Sequence, residues 1–481
     1  MKNQNVNTVE GFDGEMLHPS FDIKDGILIL GFRYKNKTGK DENIFFVVKH
    51  DTIRVEREDS CEIDGKRYFF EIKGKTLMRV EERWGLKALN EFVKDYSSGK
   101  TGITPTPKEL FEKTKILVKK YVELEKEIDY SLVIAWIIGT YFFPIFPAYP
   151  FLLPKGPKGS GKTQFLNLLE QLCFNAIKAR PSLPALGDTV DSLRGTYLID
   201  QADSLWREKN EDLLDILADS YKRKGGKRRI MSPDKNKREV LEFETYGPKA
   251  LAAIRELPED LRDRFLTIPL IRSAQNFPDP DNEDENWKEI RGGIYKFLIE
   301  NHLLASSTCS VLKTQYKLNP EVFGRTLELW LPLETMLKCL EAGEEEVKEA
   351  RRRFLSQYQF SEYEPSEFER EVIKGILSRF QDGDTETILS PKKIGENMDP
   401  DVFQFGELPI RRAVKVGWAL KNFNLFSEKR PRTKEGVHYL FEKKRVENIY
   451  KRYFAAEPTL LTPSEKNNSN REEVEGVENI V

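Results

Sequence analysis

Eight residues, Gly156-Pro157-Lys158-Gly159-Ser160-Gly161-Lys162-Thr163, set glycines, a lysine and a hydroxyl in the order that phosphate binding needs. The apolar PFLL precedes them and the helix-forming QFLNLLEQL follows, so the segment reads as strand, glycine loop and helix start. Glycine lets successive backbone N–H groups turn inward on an anion, and the helix N-terminus adds positive potential. In that setting the loop cradles the phosphates of ATP, Lys162 reaches the β and γ phosphates, and the Thr163 hydroxyl binds Mg²⁺. A glycine-rich surface turn would need neither the strand nor the helix. A second Gly-Lys-Thr, Gly99 to Thr101, has neither, and no glycine stands five residues before Gly99.

The stretch GTYLIDQADSL runs apolar residues into Asp200. An aspartate at the carboxyl end of a core strand can hold Mg²⁺, directly or through water; the alternative is a plain strand-ending aspartate in a turn. Gln201 follows, where a working ATPase usually carries a glutamate. A glutamine cannot act as a carboxylate base, but it can orient the attacking water. Asp203 offers a carboxylate nearby. Slow but real hydrolysis is therefore expected. A strand–helix unit separates the two motifs, which fits an ATPase with an additional strand rather than a simple nucleotide kinase.

The elements that must position these groups follow from the chain as a whole. At 481 residues it has room for about two to four domains. With 39% apolar and 32% charged residues it reads as a soluble globular protein, and a net charge of −2 means that any basic surface is local. The four cysteines and four histidines are scattered without metal-site spacing. Reduced cysteines and a cytoplasmic location are the expectation, and the polar N-terminus is not a signal peptide. Ser131–Pro154 is uncharged over a bilayer-spanning length, but Pro144, Pro147 and Pro150 interrupt it. We read a buried helix from Tyr130 to Phe143 running into a core strand, with no membrane partner.

Residues 1–20 are polar and expected to be disordered. Residues 21–96 alternate like strands and predict a β-rich N-terminal domain. Residues 97–106 are a linker by composition. Thr106, Pro107 and Glu109 then form a helix start with a capping box, and Leu110, Leu117, Tyr121 and Leu124 follow as an apolar stripe. Strands and helices alternate from Phe151 to Leu270, predicting a mainly parallel sheet covered on both faces. The ATPase core with its leading helices is thus assigned to 107–285, an acidic helical lid to 286–360, a third folded unit to 366–455, and a disordered acidic tail to 456–481.

Between Tyr221 and Leu270, RRIM and EVLEFE flank SPDKNK as a β-hairpin, with Lys235 and Lys237 at its tip and a basic cluster at its base. The strand KALAAI then ends near Arg255, and the short helix PEDLRDR leads into the last core strand. Taken in order, phosphate loop, Asp200 strand, basic hairpin, polar strand end and Leu-Arg-Asp-Arg-Phe resemble the AAA+ ATPases. Within them the chain is most similar to the hairpin-bearing superfamily 3 helicases and their plasmid, virus and prophage relatives, over about residues 107 to 455. The fold that this implies is an α/β P-loop NTPase core of AAA+ type with an N-terminal β-rich domain and a C-terminal winged helix. The resemblance also implies a hexameric ring with sites between subunits. Arg264 stands where such proteins carry an arginine finger, with Arg262 a second candidate; an ordinary surface arginine is the competing reading for both. Arg255 is a candidate for the group that senses the γ-phosphate from the neighbouring strand, and Arg325, opening a lid helix, for a second sensor. The hairpin tips would point into the pore, where Lys235 and Lys237 could hold single-stranded DNA by its backbone; a solvated lysine turn is the alternative.

Residues 404–455 carry thirteen lysines and arginines against five glutamates, a local excess of about +8. Three helices followed by a strand-rich basic turn look like a winged helix. Arg411, Arg412, Lys415 and Lys421 fall on its recognition helix and Lys429, Arg430, Arg432 and Lys434 on its wing, for duplex DNA or a protein partner. Trp418 and Leu420 are expected to face its core. Two functions are consistent with this chain: an ATP-driven DNA motor of a mobile element, or a nucleotide-gated DNA-binding switch that does not translocate. A small-molecule kinase explains neither the finger candidates nor the C-terminal unit.

Overall fold

Eight strands open the structure, a computed structural model: β1 (Glu15–Met16), β2 (Phe21–Lys24), β3 (Ile27–Lys35), β4 (Asp41–Lys49), β5 (Thr52–Glu56), β6 (Ser60–Ile63), β7 (Lys66–Phe69) and β8 (Met78–Arg79). The residues described are 14–50, 52–70, 72–98, 105–180, 182–203, 205, 211–231, 240–253, 257, 259–273, 275–280, 285–318, 322–359, 367–381, 383–398, 409–423, 425, 432–433 and 436–454. β2 to β5 form an antiparallel meander with β8 added parallel to β3, and β1, β7 and β6 form a smaller sheet. Strand alternation explains why both faces of β3 are buried. Ile27 and Ile29 build a small core with Phe45, Val47 and Tyr68, whereas Leu28, Leu30 and Phe32 join the main core of the chain. Residues 14–20, expected to be disordered, are built into this assembly. Leu17 is buried, Glu15 pairs with Lys24 and Lys66, and Ser20 Oγ donates to the Leu193 carbonyl at 2.7 Å. Within the stretch expected to alternate as strands, the chain turns after Arg79 into the short helix α1 (Val80–Arg83), and α2 (Leu86–Ser97) follows.

α3 (Pro107–Tyr121) starts as its sequence demands. Thr106 Oγ1 accepts the Glu109 amide at 3.3 Å and the Glu109 carboxylate accepts the Thr106 amide at 2.8 Å. α4 (Glu127–Gly139) is buried around its whole circumference from Ile128 onward, the pattern of a helix in the interior of a large core. Its partners account for the uncharged stretch: Trp136 Nε1 donates to the Pro150 carbonyl at 2.7 Å, and the Tyr149 hydroxyl to the Trp136 carbonyl at 2.6 Å. No helix among the described residues is long and apolar enough to cross a membrane.

Seven further strands follow: β9 (Phe151–Lys155), β10 (Ile177–Lys178), β11 (Tyr197–Ile199), β12 (Lys227–Met231), β13 (Val240–Glu244), β14 (Lys249–Leu251) and β15 (Phe265–Pro269). Five make one parallel sheet in the order β10-β11-β14-β9-β15, while β12 and β13 pair antiparallel as a separate two-stranded ribbon. Helices α5 (Lys162–Leu172), α6 (Leu183–Leu186), α7 (Glu211–Asp219) and α8 (Glu259–Arg262) lie in the connections, with a π-helical turn at Gly187–Ser192. Two buried guanidiniums cap the C-terminal end of α5. Arg83 donates to the Glu170 and Ala176 carbonyls, and Arg291 to the Gln171, Glu82 and Arg83 carbonyls. Positive charge there complements the helix dipole.

The predicted acidic helical segment is three helices, α9 (Glu285–Leu318), α10 (Gly324–Cys339) and α11 (Glu344–Gln359). Residues 1–361 form one compact unit and 362–481 a second. The second contains α12 (Glu367–Leu377), β16 (Glu386–Leu389), α13 (Pro391–Glu396), α14 (Pro409–Asn422), β17 (Arg432–Thr433), β18 (Gly436–Val437), β19 (Tyr439–Glu442) and α15 (Lys443–Phe454). β16 pairs with β19 and β17 with β18 around a core that includes Val372, Ile376, Ile394, Val416, Leu420 and Phe441.

Candidate nucleotide site

β9 delivers the glycine loop and β11 delivers Asp200, both at the carboxyl edge of the sheet, with β14 between them. Gly159 and Gly161 hold positive φ angles of 80° and 84°, which the loop needs to turn its amides inward and which glycine adopts without strain. At Gly156 the place of a Cβ is taken by the Leu270 carbonyl oxygen at 2.2 Å and Ser160 Oγ at 2.5 Å. α5 starts at Lys162. The Lys162 ammonium donates to the Gly156 and Pro157 carbonyls, both at 2.7 Å. Partial burial lowers its pKa from the usual lysine value, against the pull of Asp203 and Asp200.

Thr163 Oγ1 donates to Asp200 Oδ2 at 2.9 Å. Across the width of one intervening strand, the hydroxyl and the carboxylate that the two motifs supply meet at one point. Asp200 Oδ1 in turn accepts the Gln201 amide at 2.8 Å, and Gln201 sits at φ 53°, the left-handed region. Strained backbone of this kind persists where the surroundings hold it, often at functional sites. The loop opens into a cleft of about 710 Å³ lined by Lys158, Gly159, Gly161, Lys162, Thr163, Asp200, Gln201 and Asp203. Its other walls were not legible in sequence. Gln164 and Asn167 belong to the first turns of α5, Ala252 and Ala253 follow β14, and Asp279 comes from the loop after β15. Gln164 Nε2 fastens that loop by donating to the Pro278 carbonyl at 2.9 Å and the Tyr121 carbonyl at 3.0 Å.

The donors fit a nucleotide with Mg²⁺. Thr163 and Asp200 are hard oxygen ligands of the kind Mg²⁺ takes together with phosphate oxygens and water. Among the described residues no group of three or more His, Cys, Asp or Glu could hold a metal by itself.

Arg264 and Arg325 stand elsewhere. Arg264 precedes β15, which runs parallel to β9 with Phe265 opposite Phe151 and Pro269 opposite Lys155. It therefore lies at the edge of the sheet away from the glycine loop. Both guanidiniums lie over the buried Tyr221 ring, at 5.5 Å and 5.6 Å, and both contact the Asp263 carboxylate. The Arg264 side chain is only 11% exposed, whereas Arg262 is exposed. Arg325 does not line the cleft of its own chain; its contacts with Asp263 and Tyr221 set the start of α10 at the opposite edge of the sheet. Arg255 lies outside the described residues.

The ribbon β12–β13 has the expected hairpin pairing, from Lys227 opposite Glu244 to Met231 opposite Val240. Glu242 pairs across it with Lys227 and Arg229, at 2.8 Å each. The tip residues Lys235 and Lys237 lie outside the described residues. In the second unit, Arg411, Arg412, Lys415 and Lys421 all fall on α14 and Arg432 on β17, while Lys429, Arg430 and Lys434 lie outside the described residues. Leu420 is buried as expected, but Trp418 is 63% exposed. Helical phase explains the correction. Val416, Ala419 and Leu420 share the inner face, and Trp418 lies about 160° from Leu420 at 3.6 residues per turn. It falls on one stripe with Arg411, Val414 and Lys415, all three exposed.

No family model matches the chain, and no curated protein matches it. Among solved structures, the C-terminal region of NrS-1 (305–718) is similar at 9% identity with a TM-score of 0.32, over 86% of this chain and 96% of that one. The JCV helicase is similar at 18% identity with a TM-score of 0.21, over 47% of this chain and 72% of that one. The Drosophila ORC bound to DNA is similar at 13% identity with a TM-score of 0.19, over 75% of this chain and 99% of that one. These are distant likenesses, and no residue role is carried across from them.

Proposed function

We propose that this chain is an ATP-driven DNA motor of the AAA+ type, a ring-forming replicative helicase or initiator-type ATPase of a mobile genetic element. The observation that carries the nucleotide half of this reading is the 2.9 Å hydrogen bond from Thr163 Oγ1 to Asp200 Oδ2 beside the glycine loop. The strand β14 lying between the two motif strands supports the additional-strand ATPase class. Loop amides and Lys162 would hold the phosphates, and Thr163 and Asp200 would hold Mg²⁺. The metal, when bound, neutralises charge on the phosphate oxygens. Positioning and electrostatics then do most of the work of phosphoryl transfer. For the DNA half, support comes from the two-stranded ribbon with its basic base and from the exposed α14 stripe, where Trp418 stands beside Arg411 and Lys415, the cationic and aromatic groups that single-stranded nucleic acid is held by. The paired strands and helices of the second unit support the winged-helix reading, with duplex DNA as its partner.

The test is ATP turnover measured without DNA and with single-stranded, forked and duplex DNA, alongside particle size with and without ATP. DNA-stimulated turnover in a ring-sized particle is expected. The one observation favouring the switch is Gln201 in place of a carboxylate. ATP binding without turnover on any DNA would establish the switch instead.

Two single substitutions sharpen this. Gln201 follows Asp200 directly and its strained turn presents it at the cleft. Gln201→Ala is therefore expected to lower turnover about 10- to 100-fold with ATP affinity nearly unchanged, below the usual range for a proton-transferring group. Asp203→Ala should change turnover only a few-fold. The opposite order, read from single-turnover phosphate release, gives the water-handling role to Asp203. On the second unit, Trp418→Ala is expected to weaken DNA binding about 5- to 10-fold at fixed salt, the lower part of the range for a lost aromatic–base contact. Fluorescence anisotropy with labelled DNA measures it; unchanged affinity would remove α14 from the DNA surface.

A further inference from the structure

The π-helical turn Gly187–Ser192 lies between the N-terminal strands and the hairpin, and its Asp191 bonds to both. Asp191 Oδ1 accepts the backbone amide of Glu244, the last residue of β13, at 2.7 Å. Asp191 Oδ2 pairs with Lys75 Nζ at 2.7 Å, and the same ammonium reaches the Asp191 carbonyl at 3.2 Å. His18 completes the clamp. Its Nδ1 accepts the Ser20 amide, so Nε2 carries the proton and donates to the Asp191 carbonyl at 2.7 Å. Burial keeps this imidazole well below the usual histidine range, hence neutral. The two residues that follow Asp191 are tied in the same way. Ser192 is joined to Thr76 by Thr76 N to Ser192 O at 3.0 Å and Ser192 Oγ to Thr76 Oγ1 at 2.8 Å, and the Leu193 carbonyl accepts Ser20 Oγ.

Besides this clamp, Arg228 of β12 pairs with Asp212 of α7 at 3.8 Å on the exposed surface. β12 and β13 pair only with each other among the described strands. Their base is tied to the core just beyond, where the Tyr246 hydroxyl donates to the Phe143 and Phe146 carbonyls at 3.0 Å and 2.8 Å. That contact attaches the ribbon, whereas Asp191 bonds the strand itself. A π-helical turn is an uncommon conformation that often marks a functional position.

We infer that the N-terminal β-rich segment is the anchor that sets the hairpin, and that Asp191 and Lys75 are positioning residues for DNA engagement. The inference rests on the reading of the hairpin as a DNA-contacting element, and it assigns a role to a segment with no catalytic groups of its own. Asp191 and Lys75 are absent from the cleft lining, so the anchor acts on DNA response and not on nucleotide chemistry.

Three full-length variants test it. Asp191→Ala removes the Glu244 acceptor and the ion pair together. Asp191→Asn keeps an acceptor oxygen and loses the charge. Lys75→Met loses the charge from the other side. Basal ATP turnover and ATP affinity should stay within about 2-fold of wild type, while DNA stimulation falls about 10-fold for Asp191→Ala and less for the other two, as expected for losing a partly buried charged hydrogen bond. Amide hydrogen exchange adds a readout independent of catalysis. The Glu244 amide should exchange faster in the same order, with the amides of Lys162–Leu172 unchanged. Unchanged exchange at Glu244, or an equal fall in basal and DNA-stimulated turnover, overturns the inference. If the wild type hydrolyses ATP with no response to any DNA, the motor reading falls, and exchange at Glu244 alone decides whether the anchor exists.

Discussion

Lys162→Ala is expected to abolish ATP turnover while the chain stays folded. The ammonium is only partly buried, and its hydrogen bonds are to the Gly156 and Pro157 carbonyls, both in its own loop. Without nucleotide it braces the loop from within. A nucleotide whose phosphates enter the cleft offers oxygens of full negative charge in place of those carbonyls, and the ammonium moves to the stronger acceptor. Removing it deletes a fixed positive charge where negative charge must be stabilised, which is worth about 100- to 1000-fold in rate. ATP affinity should fall as well, because the same contact exists in the ground state. Phosphate release at saturating DNA and nucleotide binding by a fluorescent analogue measure the two effects separately. Turnover near the wild-type level in Lys162→Ala would remove the cleft from the mechanism.

Local chemistry made the phosphate loop, the α3 capping box and the alternation of core strands with helices legible before any fold was known, because each depends on residues close together in the chain. What escaped depends on long-range packing. Leu17, His18 and Ser20 look like loose polar terminus until Asp191 and Leu193, far along the chain, supply their partners. β16 is only four residues long, and its register pairs with β19 join residues 50 to 56 positions apart in the chain. Asp279 stands in a proline-flanked loop with no periodic pattern to place it at the cleft. Trp418 is expected inward with Leu420, but helical phase relative to Val416 and Leu420 turns it outward. Nothing in GRTLELWLPL specifies where α10 begins in space, so the packing of Arg325 on Asp263 and Tyr221 is not legible there.

Arg264→Ala is expected to lower turnover on the order of 1000-fold, the usual scale of an arginine finger, while ATP binding persists. The geometry makes the origin of that loss testable. Arg264 sits just before β15 and Gly156 just after β9, and the two strands run parallel over five paired residues. Six residue steps at about 3.3 Å each separate them by roughly 20 Å along the sheet, farther than an arginine side chain spans. Arg264 can serve a γ-phosphate only in another copy of the chain, and to do so it must exchange Asp263 and the Tyr221 ring for that phosphate. Lys162→Ala and Arg264→Ala carry complementary defects, so each should be inactive alone while an equal mixture regains activity. In a randomly mixed ring roughly a quarter of interfaces pair an intact loop with an intact finger. A mixture that stays inactive in a particle shown to contain both variants would mean that Arg264 acts within its own chain, through the Asp263–Arg325–Tyr221 cluster it packs in. Recovery with Arg262→Ala in place of Arg264→Ala, from a variant that is itself inactive, would move the finger to the exposed arginine on α8.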